Sequence, residues 1–151
     1  MPFEPEHRVR VQLRWRDIDV LGHLNQAVYH ELIEEARAAL MFQIMSLVGD
    51  RAPGGYVLAH IDLDYHSEVR KDHGEVEVIV RLTGIGASSL RLEPEVRLPD
   101  GRLAASGKAV LVAWDPVKRG KRILSEAERA ILNGGDPESR DPDRDRDREP
   151  Y

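Results

Sequence analysis

The sequence contains no cysteine, and basic residues do not outnumber acidic ones. Without cysteine there is no disulfide framework, no thiol nucleophile and no zinc site built on thiolates. The 22 lysines and arginines against 27 acidic residues give a net charge of −5, which argues against a general nucleic-acid-binding protein. The function must therefore rest on other residue types and on a different kind of partner.

Long apolar runs are also missing. The longest are only a few residues, far too short for a membrane-spanning helix, and no basic segment followed by an apolar stretch opens the chain as a secretory signal would. We therefore expect a soluble, cytoplasmic protein with no membrane partner. A length of 151 residues suits one domain with a sizeable core.

The end of the chain differs sharply from the rest in composition. Residues 136–151 hold seven acidic residues and four arginines, with almost nothing apolar. Such a segment cannot bury enough apolar surface to offset the entropy lost on ordering it. We predict a folded domain over residues 1–135 and a disordered charged tail over residues 136–151.

Hydrophobic periodicity indicates strands and one long helix. Residues 8–16 alternate between apolar and polar, which predicts a half-buried strand with Trp15 on its buried face. Residues 26–48 lack glycine and proline and carry apolar residues at helical spacing, which predicts a long helix. A second apolar line through Phe42 widens the face that we expect to be buried, so the helix should be covered on more than one side. Period-two alternation then continues through four antiparallel strands to about residue 114. This order predicts an α+β class with a sheet curled around one helix.

A cluster of polar residues joins the first strand to the long helix. Its members are Asp17, Asp19, Gly22, His23 and Asn25. A helix N-terminus offers unpaired N–H groups that suit an oxyanion, and a carboxylate beside it can act as a general base or nucleophile. Equally, an aspartate could end the strand while Asn25 caps the helix. Asp17 is the acid expected to hold the loop or to pair with a neighbouring arginine such as Arg14 or Arg16.

Metal-binding patterns fail in this sequence. Asp17 and Asp19 match two positions of a calcium loop, but Leu21 and Val28 stand where that loop needs oxygen ligands. The histidines and aspartates of residues 60–66 share one face, which is more typical of the polar side of an amphipathic strand than of a metal cluster. We predict no metal and no cofactor.

The polar cluster belongs to a longer recognisable pattern. The stretch WRDIDVLGHLN at residues 15–25, followed by Tyr29 and by EEAR at residues 34–37, resembles the hotdog-fold acyl-CoA thioesterases of the 4-hydroxybenzoyl-CoA thioesterase type. The similarity runs over about residues 7–115 and includes IDLDY at residues 61–65. Its most specific part is the D-x-D-x-x-G-H-x-N stretch with a tyrosine downstream.

This resemblance implies a fold, a substrate and a site. The fold would be a hotdog, an antiparallel sheet wrapped around one long helix, and the chains would form homodimers or homotetramers with acyl-CoA sites at the subunit interface. Asp19 would attack the thioester carbonyl or activate water, and Gln26 at the helix N-terminus would polarise that carbonyl. The residues implied to bind substrate are Gly22, His23, Asn25, Tyr29, Ser88 and Ser89.

Two rival functions stay open on the sequence. A protein of this fold could act on acyl carrier protein, or as a dehydratase with His30 as its helical histidine. It could also be a non-catalytic ligand-binding module, because one fold is reused across many functions. The acyl group is not named by the sequence, since pocket depth depends on residues that association of subunits would bring together.

Overall fold

The computed structural model describes residues 3–49 and 54–134, so the predicted tail lies outside the described residues. Short 3-10 turns occur at Trp15–Asp17 and Lys71–His73. The strands and helices, in chain order, are β1 (Glu6–Gln12), α1 (Gln26–Val48), β2 (Tyr56–Tyr65), β3 (Glu75–Ile85), β4 (Ser89–Arg97), β5 (Leu103–Asp115), β6 (Gly120–Lys121) and α2 (Glu126–Leu132).

The strands form an antiparallel sheet in the order β1-β3-β4-β5-β2, and the short β6 pairs with β5. Within the described residues, β1 and β2 are therefore the two edges. In the ladder between β2 and β5, Tyr56 lies opposite Ala113 and Tyr65 lies opposite Ala105. The start of β2 is thus beside the end of β5, and the end of β2 lies at the opposite end of the sheet.

Helix α1 packs against this sheet and supplies much of the core. Ile33, Leu40 and Ile44 are at most 1% exposed, and burying each such side chain stabilises the fold by about 1.5–3 kcal/mol. The helix starts at the cap residue Asn25, as the sequence predicts, and ends at Gly49 with φ 66°. The predicted α+β class with one long helix is confirmed. Neither α1 nor any other described helix is long and apolar enough to cross a membrane.

Two expectations about buried aromatic residues were wrong. Trp15 is 86% exposed, because β1 ends at Gln12 and the chain turns soon after Leu13, which is buried. The turn forms because the Asp17 carboxylate accepts the Arg14 backbone N–H at 2.8 Å. Phe42 is 68% exposed, so the second apolar line of α1 is not covered within one chain.

Candidate active site

Asp17 organises the loop between β1 and α1. Its side chain is almost fully buried and accepts hydrogen bonds from the Arg14 guanidinium at 3.0 and 3.2 Å. Burial alone would raise the pKa of this carboxyl, but the hydrogen bonds from Arg14 outweigh burial and lower it. The Asp17 carbonyl also accepts the N–H of Asn25 at 2.7 Å. The prediction that Asp17 holds the loop, with Arg14 as its partner, is confirmed.

Asp19 sits in a tighter turn of the same loop. Its Oδ1 atom accepts the backbone N–H groups of Leu21 at 2.9 Å and His23 at 3.2 Å. Gly22 makes this turn possible, because its φ of 80° is a conformation that side chains disfavour. Among the described residues, no group donates to the other carboxylate oxygen, Oδ2. One oxygen therefore fixes the Asp19 side chain in the turn.

The loop docks on the segment that follows β2. The Leu24 N–H donates to the Val69 carbonyl at 2.7 Å, and the His23 ring Nε2 lies 2.7 Å from a Glu68 carboxylate oxygen. The Glu68 carboxylate in turn accepts a hydrogen bond from the Arg70 guanidinium. This bond, together with the nearby His23, lowers the pKa of Glu68. These contacts join two segments that are more than forty residues apart in sequence.

A pocket of about 350 Å³ opens between these two segments and the start of α1. Tyr29 is buried in its wall, and its ring packs edge-to-face on Tyr65 with centroids 5.0 Å apart. Burial, and then Tyr65, raise the pKa of Tyr29 to about 12, so its hydroxyl stays protonated at neutral pH. The residues lining the pocket are Asp19, His23, Leu24, Gln26, Tyr29, Tyr65, His66, Ser67, Glu68 and Val69.

Some of the predicted site residues line this pocket, and others do not. Asp19, His23, Gln26 and Tyr29 line the pocket. Gly22 and Asn25 shape the backbone instead. Gly22 allows the turn around Asp19, and the Asn25 side chain accepts the Ala27 N–H at 3.0 Å.

Ser88 and Ser89 do not line this pocket. Both are buried, and the Ser88 carbonyl accepts the Ala113 N–H at 2.8 Å, which places the pair near the start of β2. The pocket, by contrast, includes Tyr65 at the end of β2. Within one chain the two serines are therefore remote from Asp19.

Leu24 of the Asp19 loop lines the pocket although it was not predicted to, and so do five residues of a distant segment. Those five are Tyr65, His66, Ser67, Glu68 and Val69. The sequence places them at the end of a strand far from the Asp19 loop, and no local spacing links the two segments. The polar alternation of residues 60–66 was visible, but it gave no indication that its last member would meet the helix N-terminus.

The described residues offer no metal centre. No group of three or more histidines, aspartates or glutamates within residues 3–49 and 54–134 could hold an ion. The predicted polar strand face forms pairs instead: His60 lies 2.9 Å from Asp62, and His66 lies 2.8 Å from the Ser106 hydroxyl. The chemistry that the pocket can offer is that of a carboxylate beside a helix N-terminus, suited to attack on a carbonyl group.

Comparisons with known proteins point to thioesterases. The model of the thioesterase-like superfamily matches residues 13–131. A thioesterase from Thermus thermophilus, solved with coenzyme A and zinc, is 37% identical; the match covers 83% of this chain and 96% of that chain with a TM-score of 0.70. The PA2801 protein of Pseudomonas aeruginosa is 26% identical over 83% of this chain and 97% of that chain, also with a TM-score of 0.70.

A more distant structure shares the fold alone. It is Slr0204, a 1,4-dihydroxy-2-naphthoyl-CoA thioesterase from Synechocystis, which is 15% identical over 85% of this chain and 96% of that chain, with a TM-score of 0.69. No curated protein matches the chain significantly. The expectation of a hotdog fold is confirmed by these structures together with the family match. The chain belongs to the thioesterase-like superfamily and is a thioester hydrolase.

Proposed function

We propose that the protein is an acyl-CoA thioesterase of the 4-hydroxybenzoyl-CoA thioesterase type, acting in the cytoplasm through its domain of residues 1–135. The observation that carries this proposal is the Oδ2 atom of Asp19, which accepts no hydrogen bond from the described residues, on a residue that lines a pocket at the N-terminus of α1. The coenzyme A in the structure of the Thermus thermophilus thioesterase supports a CoA thioester as the substrate.

The reaction needs one base or nucleophile and one donor for the oxyanion. The Asp19 carboxylate either attacks the thioester carbonyl carbon, giving an anhydride that water then hydrolyses, or removes a proton from the water that attacks it. In both routes the carbon–sulfur bond breaks and the sulfur leaves as the CoA thiolate. The thiolate is a good leaving group, so modest stabilisation of the oxyanion is enough.

The backbone N–H of Gln26 is the donor best placed to stabilise that oxyanion. The next two amides of the helix are already occupied, since the Ala27 N–H donates to the Asn25 side chain and the Val28 N–H donates to the Asn25 carbonyl. Gln26 is the first residue of α1 and lines the pocket with Asp19. The positive end of the helix dipole adds to its effect on a developing negative charge.

The assay that tests this function is release of free thiol from a panel of acyl-CoAs. Acetyl-, hexanoyl-, palmitoyl- and 4-hydroxybenzoyl-CoA cover short, medium, long and aromatic acyl groups. Turnover of at least one of them supports the proposal. Hydrolysis of acyl carrier protein thioesters alone would favour the carrier-protein alternative, and binding of acyl-CoA without thiol release would favour a non-catalytic module.

We also propose that two chains pair through β2. This edge strand is ten residues long and exposes Val57, Leu58 and Tyr65, while the other edge, β1, carries Arg8 and Arg10, which discourage strand pairing. Antiparallel pairing of β2 with its own copy would satisfy its free backbone groups and form a two-fold interface. Because the pocket includes Tyr65 on this strand, the second copy would lie beside its open side.

The protein should therefore be at least dimeric at micromolar concentration. The exposed edge of β2, together with Phe42 and Met45 on α1, leaves an apolar surface that a single chain does not cover. Light scattering coupled to size-exclusion chromatography measures the mass directly. A mass corresponding to one chain of 17.1 kDa would contradict the proposed pairing.

A further inference from the structure

A histidine and a glutamate form a pair in the wall of the pocket that holds Asp19. Nε2 of the His23 ring lies 2.7 Å from a Glu68 carboxylate oxygen, and both residues line the pocket. Within the described residues, the Glu68 carboxylate is the group that binds the His23 ring, and Nδ1 of the ring has no protein partner. Neither side chain has a role in the attack on the thioester proposed for Asp19.

The backbone of His23 fixes its position relative to Asp19. The His23 N–H donates to Oδ1 of Asp19 at 3.2 Å, and the His23 carbonyl accepts the Asp19 N–H at 2.8 Å. The next residue, Leu24, donates its N–H to the Val69 carbonyl at 2.7 Å. The imidazole and the proposed catalytic carboxylate therefore belong to one hydrogen-bonded turn, and this turn is docked on the segment that carries Glu68.

Glu68 is itself held in place by a neighbouring ion pair. Its carboxylate accepts a hydrogen bond from the Arg70 guanidinium at 2.9 Å, and Arg70 is bound in turn by Asp72 at 2.9 Å. The bond from Arg70, together with His23, lowers the pKa of Glu68, so the carboxylate is ionised at neutral pH. A protonated imidazole donates from both ring nitrogens. When Nε2–H of His23 donates to Glu68, the proton on Nδ1 can be given to a substrate.

The leaving group of the proposed reaction is a base that needs a proton. An alkyl thiol such as that of cysteine has a pKa of about 8.5, so a thiolate released at neutral pH takes up a proton. The attacked carbonyl carbon must lie within reach of both the Asp19 carboxylate and the Gln26 N–H. The sulfur is bonded to that carbon, so it departs inside the pocket that His23 lines. Histidine is the side chain that most often supplies such a proton near neutral pH.

We propose that His23 is the general acid of the reaction and that Glu68 is its positioning residue, a proposal that rests on the proposed thioesterase function. As the carbon–sulfur bond breaks, its electron pair goes to the sulfur, which takes the Nδ1 proton of the protonated His23 and leaves as the free thiol. The neutral imidazole then recovers a proton from the solvent. The attacking water has meanwhile lost one to the solvent through Asp19, so the protons balance.

The test compares two leaving groups on the same acyl group. One substrate is the best acyl-CoA of the panel, and the other is the thioester of that acyl group with 4-nitrothiophenol, whose thiolate is stabilised by the aromatic ring and needs no proton. His23→Gln keeps an amide donor for Glu68 but cannot give up a proton. This variant should lower kcat for the acyl-CoA by about 10², and for the nitrothiophenyl thioester by no more than about twofold.

A double variant shows whether Glu68 acts through His23. Glu68→Gln keeps the length of the side chain and an oxygen that can accept from Nε2, but it removes the charge that faces the imidazolium. Its kcat for the acyl-CoA should fall about tenfold, because a charge-assisted hydrogen bond becomes a neutral one. In the His23→Gln background, the same change should lower kcat no further. A full additional loss would mean that Glu68 acts independently and would overturn its positioning role.

Control variants and the remaining outcomes separate chemistry from structure. Asp72→Asn removes a carboxylate that binds Arg70 but not His23, and it should leave kcat for both substrates within about twofold. Asp19→Asn should lower kcat for both. Thermal melting checks that each variant is folded.

Two results would overturn the role of His23 as the general acid. One is an equal loss for both leaving groups in His23→Gln, which would mean that His23 only holds the loop, and the other is an unchanged kcat. Absence of hydrolysis of both substrates by the unaltered protein would refute the proposed function itself. Normal hydrolysis by the unaltered protein, with no dependence on the leaving group in His23→Gln, would refute the general acid alone.

Discussion

Replacing Asp19 with asparagine should lower kcat by about 10²–10⁴. The amide keeps the size of the side chain and can still accept the Leu21 and His23 N–H groups through its oxygen, so the loop should keep its shape. What the amide lacks is the second carboxylate oxygen, Oδ2, which the proposed mechanism needs as base or nucleophile. Steady-state thiol release from acyl-CoA measures the loss, and thermal melting checks that the variant is folded.

Asp17→Asn is the matched comparison, because it removes the same charge two residues away. Asp17 is buried and bound by Arg14, so this change should cost about 1–3 kcal/mol of folding free energy and lower the melting temperature. Turnover per folded molecule should fall much less than in Asp19→Asn. The pair of variants thus separates loss of chemistry from loss of the loop.

Near-normal kcat in Asp19→Asn would show that the catalytic carboxylate has been assigned wrongly. The next acids to examine would be Glu34 and Glu35, which lie two to three turns into α1. Both are exposed and neither lines the pocket. A role for either would therefore require a site farther along the helix, away from its N-terminal amides.

Local sequence was enough to predict the helix and the loop that precedes it. Residues 26–48 form α1 over the predicted range because a helix depends on spacing that is readable within the segment itself. Asp17 and Asn25 adopt roles that follow from their neighbours, an ion pair with Arg14 and a helix cap. Trp15 was misplaced because alternation alone does not show that a hydrogen bond to Asp17 has ended the strand.

The rest of the site depends on contacts between distant segments. Glu68 meets His23, and Tyr65 meets Tyr29, only because the end of β2 reaches the start of α1. Nothing in the sequence near His23 predicts a partner so far along the chain. Ser88 and Ser89 show a further limit: within one chain they lie at the other end of the sheet from the pocket, so their role in substrate binding stays a prediction.

A buried ion pair links α2 to the residue that follows β6. The Glu128 carboxylate on α2 accepts hydrogen bonds from both terminal nitrogens of Arg122, at 2.6 and 3.0 Å, and from the hydroxyl of Tyr56 on β2. Arg122 donates in addition to the Trp114 carbonyl at 3.1 Å. These bonds tie α2 to the start of β2 and the end of β5. Burial alone would raise the pKa of Glu128, but the hydrogen bonds from Arg122 and Tyr56 outweigh it and lower the pKa.

Glu128→Gln should therefore reduce the free energy of unfolding by about 3 kcal/mol or more. The amide leaves the Arg122 guanidinium, whose side chain is only 10% exposed, without a counter-charge. Chemical denaturation followed by circular dichroism measures the change. The control is Glu126→Gln in the first turn of the same helix, where the side chain is exposed, and its effect should stay within about 0.5 kcal/mol.

The pH dependence distinguishes a lost charge from a simple packing defect. Because the folded-state pKa of Glu128 lies below its ordinary value of 4.5, the carboxylate stabilises the fold above about pH 4.5, and this contribution disappears as the pH falls through the folded-state pKa. Glu128→Gln has no such group to titrate. The difference in unfolding free energy between the two proteins should therefore shrink between pH 7 and pH 3. A difference that stays constant over this range would mean that the charge of Glu128 contributes nothing and that the variant is destabilised by its shape alone.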